Sequence, residues 1–186
     1  MGRSGPQAAP RLVVAIITWL DGINSLAKLA AGLLLGIATV SVAYQIFVRF
    51  IIDRIGFNIS APWTEEVARY ALIWAIFVGV GVISRSAGLI AVEMLPQTLP
   101  RLLGKIVKMI SIIITIAFFT ALVWIGGSFV AESAIETSPV LRIPMSWVYA
   151  AMPVGATLAV VNLTVLLIEG LFFGRDVVQS DPELAD

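Results

Sequence analysis

The chain is expected to be an all-α membrane protein: four transmembrane helices, amphipathic interfacial helices ahead of the first and third, and N- and C-termini both cytoplasmic. Three observations lead there. Apolar residues make up 59% of the 186 positions, and mean hydropathy is +0.99. Charged residues, about a quarter of an ordinary soluble domain, are only 13% here. Apolar runs approach the roughly 20 residues that cross the hydrocarbon core of a bilayer, and Lys and Arg divide unequally between alternate loops.

The same composition narrows function. Net charge is zero, so nothing favours a nucleic-acid partner electrostatically. The absence of Cys removes disulfides and thiolate chemistry, and the absence of His removes the commonest general base and metal ligand. No metal or cofactor is expected. An enzyme built from this chain would have carboxylates, hydroxyls and amines alone.

Residues 1–11 are rich in Gly and Pro and read as a disordered lead. Leu12–Leu20 is too short to span; with Trp19 and Lys28 it reads as an interfacial helix. The first span covers about 29–48, without charge between Lys28 and Arg49. Gly32 and Gly36 within it form a Gly-x-x-x-Gly surface on which another helix can close. Arg49 is an end-of-span residue that snorkels to the interface. Asp53 and Arg54 follow in a loop where Asn58 and Ser60 are turn formers.

The second span, about 66–83, is entered through Pro-Trp-Thr-Glu-Glu-Val-Ala-Arg-Tyr. Thr64 is expected to cap the helix, its hydroxyl accepting from first-turn N–H groups, with Pro62 keeping Ala61 extended. Glu65 and Glu66 then fall where the helix dipole favours negative charge. Either carboxylate can meet Arg69 on one helix face. Trp74 and Phe77 are assigned to lipid- or partner-facing bulk. Arg69 and Arg85 must snorkel toward opposite interfaces or be paired.

The second loop, 86–105, ends in a basic and apolar stretch after Pro100 that reads as a surface-lying helix. The third span covers about 109–130. The fourth, about 146–167, follows Ser138-Pro-Val-Leu-Arg-Ile-Pro144. Pro144 punctuates its start, and Pro153 removes a backbone bond to Tyr149, so a kink is expected there. Trp147 and Tyr149 read as an interfacial belt, Gln45 and Asn162 as interhelical hydrogen-bond partners. Residues 12–175 form a single four-helix domain, and 176–186 a polar tail. Arg3, Arg11, Lys28, Arg85, Arg101, Lys105, Lys108 and Arg175 fall on one side of this plan, against Arg49, Arg54, Arg69 and Arg142 on the other. By the positive-inside rule both termini are cytoplasmic.

Two blocks carry a resemblance. The first is Arg49, then Asn58, Ser60, Trp63, Thr64, Glu65, Glu66 and Arg69, followed by Trp74, Gly79 and Arg85. The second is Ser138, Pro139, Leu141, Ile143 and Pro144, then Tyr149, Pro153 and Gly155. Together they resemble the small membrane subunit of tripartite ATP-independent periplasmic (TRAP) transporters, the DctQ-like family, over roughly 43–155. The family usually follows its Arg with a His and an Asp; this chain has Leu89 and Glu93 there. The resemblance implies a bacterial inner-membrane scaffold bracing a large membrane subunit that carries organic acid and sodium. It also implies a periplasmic substrate-binding protein as a partner, with the loops after the first and third spans offering a share of its docking surface.

Three readings of Glu65, Glu66 and Arg69 stay open on the residues alone: a helix start with a local ion pair, a brace to another subunit, or catalytic carboxylates. Two other functions stay open beside the scaffold: an independent small channel or proton carrier gated by that cluster, and an intramembrane enzyme. Neither has support from discontinuous helices, inverted repeats or charge at mid-membrane.

Overall fold

The computed structural model describes residues 11–55, 61–86 and 101–172. Asn58, Ser60, the Leu89–Glu93 stretch and both chain ends lie outside the described residues.

Helix α1 runs from Arg11 to Phe47. No proline lies between Arg11 and Pro62. Glycines inside a helix cost about 1 kcal/mol each but do not break it. The interfacial lead-in and the first span are therefore one uninterrupted helix. A π-helical turn, Val48–Ile52, and a 3-10 turn, Asp53–Ile55, unwind its end.

Helix α2, Pro62–Ile83, has 22 residues, about 33 Å at 1.5 Å per residue. That matches a hydrocarbon core of about 30 Å. Helix α3, Arg101–Glu132, is a single helix, so the basic stretch at 101–108 also continues into its span. Helices α4, Met145–Tyr149, and α5, Ala151–Phe172, make the last crossing. The break between them at Ala150 lies one turn ahead of Pro153, whose ring nitrogen has no hydrogen to give Tyr149. Ala150 still donates to the Ser146 carbonyl (2.9 Å), and Val154 to the Ala150 carbonyl (3.1 Å). A break in the helix thus falls where the kink is expected, one turn ahead of that proline.

Among the described residues, four stretches are long and apolar enough to cross a membrane: Ile17–Ile52, Pro62–Ile83, Leu103–Ile135 and Met145–Gly170. Hydroxyls inside them are satisfied locally. Thr39, Ser111, Thr115, Thr120, Thr157 and Thr164 each donate to the carbonyl four residues back, which removes the penalty of an unpaired polar group in lipid.

The helices form an open row in the order α1, α2, α5, α3. Helices α1 and α2 pack closely, and Ala38 of α1 and Ala68, Ala71 and Ala75 of α2 are all buried. The largest apolar cluster joins α3 to α5 through Ile112, Phe119, Ala156, Ala159, Leu163 and Leu166. Between α2 and α5 the backbones nearly touch. A Cβ on Gly81 would lie 2.8 Å from the Gly155 carbonyl oxygen. By contrast, nothing stands within 4 Å of a Cβ built on Gly32 or Gly36. The small-residue contact within the chain is made by Gly81 and Gly155, and the Gly32–Gly36 surface faces outward.

Candidate functional site

Helix α2 is gripped at both of its ends. At the first end, the helix starts earlier than the Thr64 reading expects. Ala61 is the N-cap and Pro62 the first helical residue, a position suited to proline because its missing N–H is not needed there. Ala61 has φ −121° and ψ 59° and is not fully extended. Thr64 is buried, and its hydroxyl donates back to the Ala61 carbonyl at 2.7 Å instead of accepting.

The two neighbouring carboxylates part company. Glu65 takes Arg69 at 2.7 Å in an exposed pair one turn apart. Glu66 is buried and points across to the segment between α3 and α4. Its two carboxylate oxygens accept from consecutive backbone N–H groups, Val140 at 3.0 Å and Leu141 at 2.9 Å. So Glu66 does not share Arg69; it holds a loop. That loop is closed at its base, where Ser138 donates to Ile143 and Met145 to Glu136, both at 2.9 Å. Arg142 turns it with a φ of 57°, a conformation uncommon for a side chain of that size.

Further contacts tie the same two segments together. The Trp74 indole N–H donates to the Trp147 carbonyl at 3.2 Å, and the Tyr70 hydroxyl meets the Met145 sulfur at 3.8 Å. Trp74 is thus half-buried against α4, not free bulk facing outward. Trp63 stacks obliquely on Tyr44 of α1, ring centres 6.0 Å apart. Tyr149 packs against Phe129, while Trp147 stays largely exposed. Pro144 caps α4. Arg49 is exposed within the π-helical turn. The two sequence blocks, some seventy residues apart, therefore meet in space.

At the other end of α2, Arg85 makes a bidentate pair with Glu169 of α5, Nη1 to Oε2 at 3.1 Å and Nη2 to Oε1 at 2.8 Å. Its Nε donates to Asp21 of α1 at 3.3 Å. The hydrogen bonds that Arg85 donates to Glu169 hold the guanidinium above its ordinary pKa despite partial burial. Just inside, Asn24 and Asn162 exchange amide hydrogen bonds at 2.8 and 2.7 Å, and Asn162 also donates to the Gly81 carbonyl at 2.9 Å. Both amides are buried. Asn162 is the interhelical partner it was expected to be; among the described residues Gln45 has no comparable bond. These contacts bring the start of α1, the end of α2 and the end of α5 to one end of the row.

Asp21, Asn24 and Glu169 were not anticipated. The signal was available for one of them. A charge near a span end calls for a named partner, and Glu169 was the acid at the exit of the span that returns to Arg85's side. Asn162→Ala deprives the Asn24 amide and the Gly81 carbonyl of their partner. It is expected to lower stability by about 1–3 kcal/mol, read as the shift in thermal unfolding of the purified protein. The double change N24L/N162L, which removes both polar ends together, should recover much of that loss.

Among the described residues no group of three or more acidic side chains is placed to hold a metal. Four apolar crossings, with their charged ends clamped to one another, define a multi-pass membrane protein. The family model for the DctQ component of the tripartite ATP-independent periplasmic transporters matches residues 38–173, and the chain belongs to that family. It is a component of an inner-membrane transporter. A curated relative is the isethionate TRAP transporter permease protein DctMQ of Oleidesulfovibrio alaskensis (strain ATCC BAA-1058 / DSM 17464 / G20), 27% identical over 151 residues. The match covers 80% of this chain and 24% of that protein, so the chain spans about a quarter of the relative's length.

Proposed function

We propose that this chain is the small scaffold subunit of a transporter that imports organic acids on a sodium gradient. A large membrane subunit would carry the substrate, and a periplasmic binding protein would deliver it. The observation that carries this reading is the open row of helices. A row stapled at both ends of α2 is a stiff layer with apolar faces left over: Leu29, Leu33, Ile37 and Val40 on α1, and Ile110, Ile114 and Phe118 on α3. The buried polar groups Glu66, Asn24, Asn162 and Glu169 are spent on internal staples, which suits a brace better than a path for a solute. The relative's name supports a small organic anion, such as its isethionate, as the class of cargo.

The test is sodium-dependent uptake in proteoliposomes holding the cognate large subunit and binding protein, with and without this chain, after checking that the membrane chains copurify. Copurification, with uptake only when the chain is present, is expected. Uptake or conductance by this chain alone would overturn the scaffold reading in favour of a small channel.

Arg69 is the residue proposed to reach the large subunit. Its pair with Glu65 is 58% and 60% exposed, and such an exposed pair one turn apart contributes only about 0.3–0.5 kcal/mol. Arg69→Ala should therefore leave thermal stability nearly unchanged while reducing copurification or uptake. Unchanged assembly and uptake would assign the pair to the helix start alone.

A further inference from the structure

We propose that the loop joining α3 to α4, residues 136–144, is a preformed wedge whose tip sits in the headgroup–acyl boundary of the bilayer, with Glu66 as its positioning residue. The inference concerns how the chain meets lipid, and it does not depend on what the transporter carries.

Covalent continuity sets the loop's depth. It connects a membrane-crossing stretch ending at Ile135 to one starting at Met145. Val140, Leu141 and Ile143 are exposed at the tip, with Ile135 and Trp147 flanking it; the exposed polar side chains of the loop are Glu136, Thr137 and Arg142. This surface continues the exposed apolar face of α3 through Trp124, Ile125 and Phe129. Aromatic and basic residues bordering an apolar patch are the composition of a membrane interface, and here Trp147 and the exposed Arg142 supply them.

The backbone is prepared for that environment. What keeps a loop out of lipid is its unpaired N–H and C=O groups. From 138 to 141 no N–H is open: Ser138 donates to Ile143, Pro139 has none, and Val140 and Leu141 donate to Glu66. The pairing that satisfies Val140 and Leu141 comes from a different helix, so this part of the tip is held by Glu66.

The chain has no cysteine, so V140C alone accepts a polarity-sensitive fluorophore. The labelled full chain is placed in phosphatidylethanolamine–phosphatidylglycerol vesicles, with and without the large membrane subunit. Quenching is compared between lipid bearing a nitroxide near its headgroup and iodide in the buffer. The expected result is blue-shifted emission, strong quenching by the shallow lipid nitroxide and weak quenching by iodide, with or without the large subunit. Adding E66Q to V140C should red-shift the emission and raise iodide quenching while the protein still elutes as a folded species. Iodide quenching equal to that of the free dye would overturn the wedge, as would shielding that appears only when the large subunit is bound. An unchanged signal in E66Q would remove Glu66 from the proposal.

Discussion

Arg85→Ala is expected to destabilise the protein more than any other single charge removal, by about 3–5 kcal/mol, the range found when one partner of a buried ion pair is deleted. The Arg85 and Glu169 side chains are 15% and 6% exposed, and the pair is bidentate. Truncating Arg85 strips a buried carboxylate of its planar partner and releases Asp21 of α1 at the same time. Three helix ends lose their common tie. Arg85→Lys keeps the charge but cannot reproduce the two parallel bonds, so it should recover only part of the loss. The double change R85Q/E169Q removes both charges and should cost less than Arg85→Ala alone. Unfolding in detergent micelles, followed by helical signal, measures all three. If Arg85→Ala unfolds with the wild-type protein, the clamp contributes nothing and the grip on α2 rests on the asparagine pair.

Gly155→Ala should be comparably severe, although it adds a single methyl group. A Cβ at that position collides with the Phe77 carbonyl and lies 2.8 Å from the Phe77 Cβ. The obstruction is mainly backbone on a neighbouring helix, which cannot rotate away. The α2–α5 crossing would have to separate, opening the seam that also carries Gly81 and the Asn162 bond to its carbonyl. Overpacking a tight site costs about 1–3 kcal/mol and sometimes more; rigid backbone on the far side puts this case at the top of that range. Gly32→Ala and Gly36→Ala are the controls. Their Cβ positions are open, and replacing a helical glycine with alanine favours the helix by up to about 1 kcal/mol. Both controls should be neutral or stabilising in the isolated chain. Equal unfolding of Gly155→Ala and the controls would show that the crossing is wider in solution.

Much of the architecture follows from local features. The break at Ala150 comes from Pro153, and the start of α2 at Pro62 from a proline suited to the first helical position. Even the chemistry at the mouth of α2 was half legible: a carboxylate one turn before Arg69 on a helix must pair with it, and Glu65 does. Its neighbour Glu66 looked equivalent and is not, because one residue of helix rotates a side chain by about 100° and so toward a different partner. Nothing local to Glu66 names Val140 and Leu141. Likewise Gly32 and Gly36 carried the expected helix-contact pattern, but an intrahelical spacing does not say which helix arrives.

Hydropathy and proline positions, both short-range quantities, already imply a helical chain that crosses a membrane four times; its place among transporter components was legible only as a resemblance of two motif blocks to a known family. Only the tertiary structure decided which polar groups meet: Glu66 with the α3–α4 loop, Arg85 with Glu169 and Asp21, Asn24 with Asn162. The physical reason is that in an apolar medium a polar side chain accepts whichever partner the helix packing brings within reach. That packing is set by where two backbones can touch, at Gly81 and Gly155, and not by the polar residues themselves.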